Sequence, residues 1–96
     1  MAAKAGSQKE FTLFEGNENE QKFLFQHPGV RAGVQIRGRS KDATGNLDEE
    51  KYYTELMNHV VFLKTEDGVK KVNWDYWEEN DGFLEVMKEA SSFLIN

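Results

Sequence analysis

The chain has 96 residues, 39% hydrophobic, 12% aromatic and 30% charged, enough for one globular domain with a single modest core. It has no cysteine, which excludes disulfides, thiol nucleophiles and cysteine-based zinc sites and is compatible with a reducing cytoplasm. No run approaches the roughly eighteen apolar residues of a membrane-spanning helix. The net charge of −5 is unevenly spread. Residues 1–41 carry seven Lys/Arg against four Asp/Glu, and residues 42–96 carry five against thirteen. Halves of opposite sign either neutralise each other in the fold or stack basic face to acidic face between copies.

Residues 1–8 lack an apolar signal region and read as a disordered tail of small residues, with a single α+β domain over 9–96. Phe11–Phe14 and Lys22–Phe25 are strand-like runs joined by the turn-forming segment 15–20, which predicts a β-hairpin. Phe11 and Leu13 share one face of it, as do Phe23 and Phe25, while Phe14 and Leu24 point the other way. A lone hairpin is marginal, so this one must pack on helices.

Pro28 suits the first turn of a helix, whose apolar stripe is Val30, Gly33, Val34 and Ile36. Gly33 permits close approach of the hairpin, and Gly38 frays the helix end. Asp42–Asn46 reads as a turn. Asn46 or Asp48 caps a second helix whose Tyr53, Leu56, Met57 and Val60 fall at i, i+3, i+4 and i+7. Val61-Phe62-Leu63 can leave that helix as a strand, and Asp67-Gly68 is a hairpin-type signal. Asn73 caps a short helix carrying Trp74, Tyr76 and Trp77. After a break at Asn80–Gly82, a last helix puts Phe83, Val86, Met87, Ala90 and Phe93 or Leu94 on one side. The predicted fold is α+β, an N-terminal β-hairpin packed against a bundle of three to four helices. Its core is Phe11, Leu13, Phe23, Phe25, Val30, Val34, Tyr53, Leu56, Met57, Val60, Phe83, Val86, Met87 and Ala90.

The inventory for catalysis is thin. His27 and His59 are the only histidines, and no metalloprotease, phosphate-loop, nucleophile-elbow or dinucleotide motif is present. A turn or cap role for His27 outweighs ligation, as does a helix-edge role for His59. Asp75, Glu78, Glu79 and Asp81 lack the spacing of a calcium loop and read as solvated acidic surface. Trp74, Tyr76 and Trp77 resemble a base-stacking platform, but their surroundings are acidic rather than basic, and some of the rings belong in the core. Arg31, Arg37, Arg39 and Lys41 are the strongest contact feature. Structural solvation and a protein contact both outweigh nucleic acid for them, because the chain as a whole repels phosphate.

The order of these motifs is more specific than any one of them. Pro28-Gly29-Val30-Arg31 is followed by Ile36-Arg37-Gly38-Arg39-Ser40-Lys41-Asp42 and Gly45, then by Lys51–Val61, Trp74-Asp75-Tyr76-Trp77 and Gly82–Ala90. Over roughly residues 23–95 this resembles the small tail assembly chaperones of long-tailed phages and prophages of Gram-positive bacteria. An acidic residue often stands in that family where this chain has Gly38. The resemblance implies a non-enzymatic protein of the host bacterial cytoplasm that coats the tape-measure protein and helps recruit major tail protein. It implies no cofactor, metal, nucleic acid or membrane. Such proteins are typically absent from the finished virion and can have a longer, frameshifted form; the ending Ser92–Asn96 is consistent with the short one. Arg31, Arg37, Arg39, Lys41, Trp74 and Trp77 are the candidate partner-binding residues, and self-association into a ring or spiral is a further possibility. The alternatives are a tail-completion or connector protein of the virion, and an acidic nucleic-acid mimic that inhibits a host protein.

Overall fold

Period-two spacing of phenylalanines decides which face of the sheet becomes the core. The computed structural model describes residues 6–95. In it β1 (Gln8–Leu13) pairs antiparallel with β2 (Gln21–Gln26), opposing Phe11 to Phe23 and Leu13 to Gln21. Phe23, Phe25 and Leu13 are fully buried, each worth about 1.5–3 kcal/mol relative to exposure. Phe14 lies just beyond β1 at φ 55, where the left-handed backbone turns the chain out of the strand.

The hairpin is half of a larger sheet. β3 (Val61–Thr65) joins β2 with Val61 opposite Phe25 and Leu63 opposite Phe23, and β4 (Gly68–Lys71) closes the order β1-β2-β3-β4. The four helices among the described residues are α1 (Val30–Arg39), α2 (Glu49–His59), α3 (Trp74–Glu79) and α4 (Phe83–Ile95). The N-terminal hairpin packs against them. Phe23 stacks on Trp77 at 5.7 Å, and Phe25 meets Phe93 at 6.1 Å. Asp48 and Asn73 cap α2 and α3, accepting the N–H groups of Lys51 and Tyr76.

Four expectations need correction. Of the tail predicted over 1–8, residues 1–5 lie outside the described residues, but Gln8 opens β1. The Gly6 and His27 N–H groups donate to the carbonyls of His27 and Ser7 at 2.8 Å, which extends the hairpin pairing. Pro28 precedes α1 rather than opening it, because Gly29 is the cap and its N–H donates to His27 Nδ1 at 2.9 Å. Val30 and Val34, expected in the core, are 65% and 54% exposed. The buried line of α1 is instead Gly33 and Ile36, continued by Ser40 at its C-terminal cap. Gly33 sets it, since a Cβ there would lie 3.3 Å from Leu94 Cδ1; the missing side chain lets α1 settle on α4, not on the hairpin as expected. Tyr52, Val61, Val72, Trp77 and Leu94 complete the core, while Phe11, Tyr53 and Phe83 are half-buried at its edge.

His27 holds this corner together. Its Nδ1 accepts from Gly29, so the ring proton sits on Nε2, which donates to the Leu94 carbonyl at 3.0 Å near the end of α4. The ring is buried against Phe93. Both nitrogens are used structurally.

Candidate functional site

The α2 stripe buries Leu56 and Met57 and leaves Tyr53 half-exposed at its border. Phe83, at the start of α4, meets the Tyr53 ring edge-on at 5.2 Å, Trp74 at 5.2 Å and Trp77 at 5.7 Å. Trp74 is fixed from its other side, where Nε1 donates to Thr54 Oγ1 at 2.9 Å. Phe83 thus joins three helices, and Tyr53, Trp74 and Phe83 floor an open groove of about 530 Å³.

Glu49, Glu50 and Glu78 stand along this groove, and Leu84 forms its wall with 67% of its surface exposed. A second hollow of about 440 Å³ shares Glu49, Tyr53 and Leu84 and runs on past Leu47 and Met87 to Lys88. The two make one apolar trough between α2 and α4 with carboxylates along its α2 side. Burial, with Glu49 beside it, pushes the Tyr53 hydroxyl above its ordinary pKa, so the ring stays neutral. A surface of this kind binds by contact: apolar side chains fill the floor and cations meet the rim.

The six sequence-derived candidates do not form one site. Arg39 is committed within the fold, its Nε and Nη2 donating to Glu55 at 2.7 and 3.2 Å, which ties α1 to α2. Arg31 and Lys41 are exposed and Arg37 is half-buried. Arg31 and Arg37 flank the exposed Val30–Val34 side of α1, and Lys41 begins the loop bridged to Leu47. That loop is held by Asp42, whose carboxylate accepts from Thr44 and Asn46 and is kept below its usual pKa, first by the Thr44 hydroxyl. Trp74 belongs to the groove. Trp77 does not, because its stack on Phe23 leaves it 9% exposed in the core.

Sequence reasoning missed Leu84, an apolar residue off the buried stripe of α4, and gave no contact role to Glu49 and Glu50, which sit in the first turn of α2 where the helix dipole favours them. Among the described residues no cluster of three or more His, Asp or Glu is placed to hold a metal. No helix among them is long and apolar enough to cross a membrane.

Comparison with protein families, with curated proteins and with solved structures found no counterpart.

Proposed function

We propose that this chain is a non-enzymatic assembly chaperone of the phage-tail kind, acting in the cytoplasm of a bacterial host. Its client is the long helical tape-measure protein, and major tail protein is a second partner. The observation that carries this reading is the exposed Leu84 beside the Tyr53–Trp74–Phe83 floor, with glutamates along one side. An amphipathic helix fits such a surface, its apolar stripe on the rings and its lysines or arginines on Glu49, Glu50 and Glu78. A protein holding a client only during assembly needs this combination of exposed apolar area and solubilising charge. Phosphate is repelled by the same rim, so nucleic acid is not a partner of the groove. The motif order described above supports the same reading, and the opposite charges of the two halves suit self-association around a client.

Co-expression with a tape-measure protein encoded beside this chain tests the proposal. The tape-measure protein becomes more soluble and co-purifies, and Leu84→Glu or Glu49→Lys/Glu78→Lys abolishes both effects without unfolding the chain. Unchanged solubility with no co-purification rejects the reading. Mass spectrometry of purified particles separates it from the connector alternative, because a chaperone is missing from them.

A further inference from the structure

Strand alternation sends Phe11, Phe23 and Phe25 toward the helices and the intervening residues to the opposite side of the sheet. The register aligns those intervening residues in two rows. One runs Glu10, Leu24, Phe62, Lys71, and the other Thr12, Lys22, Lys64, Val69. Leu24 and Phe62 are half-buried, Val69 is 51% exposed, and all three lysines are exposed. None of these apolar residues belongs to the buried core or packs against it. Glu10 is the one carboxylate in the two rows, and it is ion-paired to Lys64. In a chain of net charge −5, this face carries three cations against one anion around an apolar centre.

We infer that this second face of the sheet docks an acidic amphipathic helix of a partner protein, its apolar stripe on Leu24, Phe62 and Val69 and its carboxylates on Lys22, Lys64 and Lys71. Four strands spaced about 4.8 Å apart make a platform about 14 Å across. That is the length of about ten helical residues at about 1.5 Å each. A helix laid on the bare face of a sheet completes the layered arrangement that buries apolar area on both sides. The sign of the lysines selects the partner: the α2–α4 groove fits a cationic helix, and this face an anionic one. A second copy fits poorly, because the apolar stripes of α2 and α4 are already buried in their own core. Nucleic acid also fits poorly, because Phe62 is the only ring in the two rows and a stacking platform needs several. The inference does not depend on the function proposed for the groove.

The test is an NMR titration of the full-length ¹⁵N-labelled chain with three probes. These are a helical peptide of leucine, alanine and glutamate, its lysine-for-glutamate counterpart, and a poly-dT oligonucleotide. The acidic peptide shifts the amides of Lys22, Leu24, Phe62, Lys64, Val69 and Lys71, and the binding weakens with salt. Lys64→Glu/Lys71→Glu weakens it about tenfold or more, while the melting temperature falls by no more than the loss of the exposed Glu10–Lys64 pair accounts for. Glu10→Gln strengthens it by releasing Lys64. No shift with the acidic peptide overturns the inference, as do shifts confined to α1 or the groove. So does an equal response to the lysine peptide or to poly-dT, or the same shifts on simply concentrating the chain, which would make a second copy the occupant.

Discussion

Replacing Gly82 with alanine tests the corner on which both the core and the groove depend. Gly82 has φ 98, in the left-handed region, and its carbonyl accepts the Val86 N–H at 3.1 Å to open α4. A Cβ there overlaps Leu13 Cδ2 and comes within 3.0 Å of Cδ1, and Leu13 is fully buried at the end of β1. Two costs add. Placing a side chain at positive φ costs about 1–2 kcal/mol, and pushing Leu13 out of its packed site costs about 1–3 kcal/mol. The expected loss is about 2–5 kcal/mol, a large fraction of the roughly 5–15 kcal/mol that stabilises a domain. Urea unfolding followed by tryptophan fluorescence measures it, read from the midpoint at constant slope. The two terms separate in a Leu13→Ala background, where the overlap is gone and Gly82→Ala costs only about 1–2 kcal/mol. A loss under about 1 kcal/mol in the wild-type background, or equal losses in both, would refute the reasoning.

Trp77 stacks on Phe23, but its Nε1 has no hydrogen-bond acceptor among the described residues. Trp77→Phe therefore costs far less than Trp77→Ala, which loses about 3–5 kcal/mol; comparable urea midpoints for the two variants would contradict this. Gly38 has open space where a Cβ would go, so Gly38→Ala stabilises α1 by up to about 1 kcal/mol. Gly33→Ala gains less, because Leu94 must give way, and a reversed order of thermal midpoints would count against the packing described. Glu55 is held below its ordinary pKa of 4.5, first by the Arg39 guanidinium and also by His59. Because the folded value is depressed, the stability from this pair is complete above pH 4.5 and lost as the pH falls below it. Glu55→Gln should lower stability at neutral pH and flatten the acid limb of a denaturation series, and an unchanged limb would show that the pair adds nothing.

Much of the fold was legible in local pattern. Phe11, Leu13, Phe23 and Phe25 alternate in a way only a half-buried strand explains, and Tyr53, Leu56, Met57 and Val60 repeat as only a helix face does. Asn46 or Asp48, and Asn73, announced their helices as caps, and Asp48 is the one that caps α2. The orientation of α1 was not legible, because Val30–Val34 and Gly33–Ile36 are both helical spacings. A choice between them depends on whether the neighbouring helix needs a side chain or a gap. The candidate site was legible only in pieces. Trp74 was singled out from composition, but Tyr53 and Phe83 were assigned to the core and Leu84 to no role. Their assembly depends on where α3 and α4 meet α2.

By itself the sequence determined the first hairpin and its inward face, the helices and their capped starts, and the division of charge between the halves. Each is set by residues within a few positions of one another. Tertiary structure decided what no local window contains. It paired Phe23 with Leu63 and Phe25 with Val61, turning a hairpin into a four-stranded sheet. It spent Arg39 on Glu55, buried Trp77 on Phe23, and left Leu84 and the Lys22–Lys64–Lys71 face outside. The physical reason is that burial belongs to the neighbour as much as to the residue, and those neighbours lie far apart along the chain.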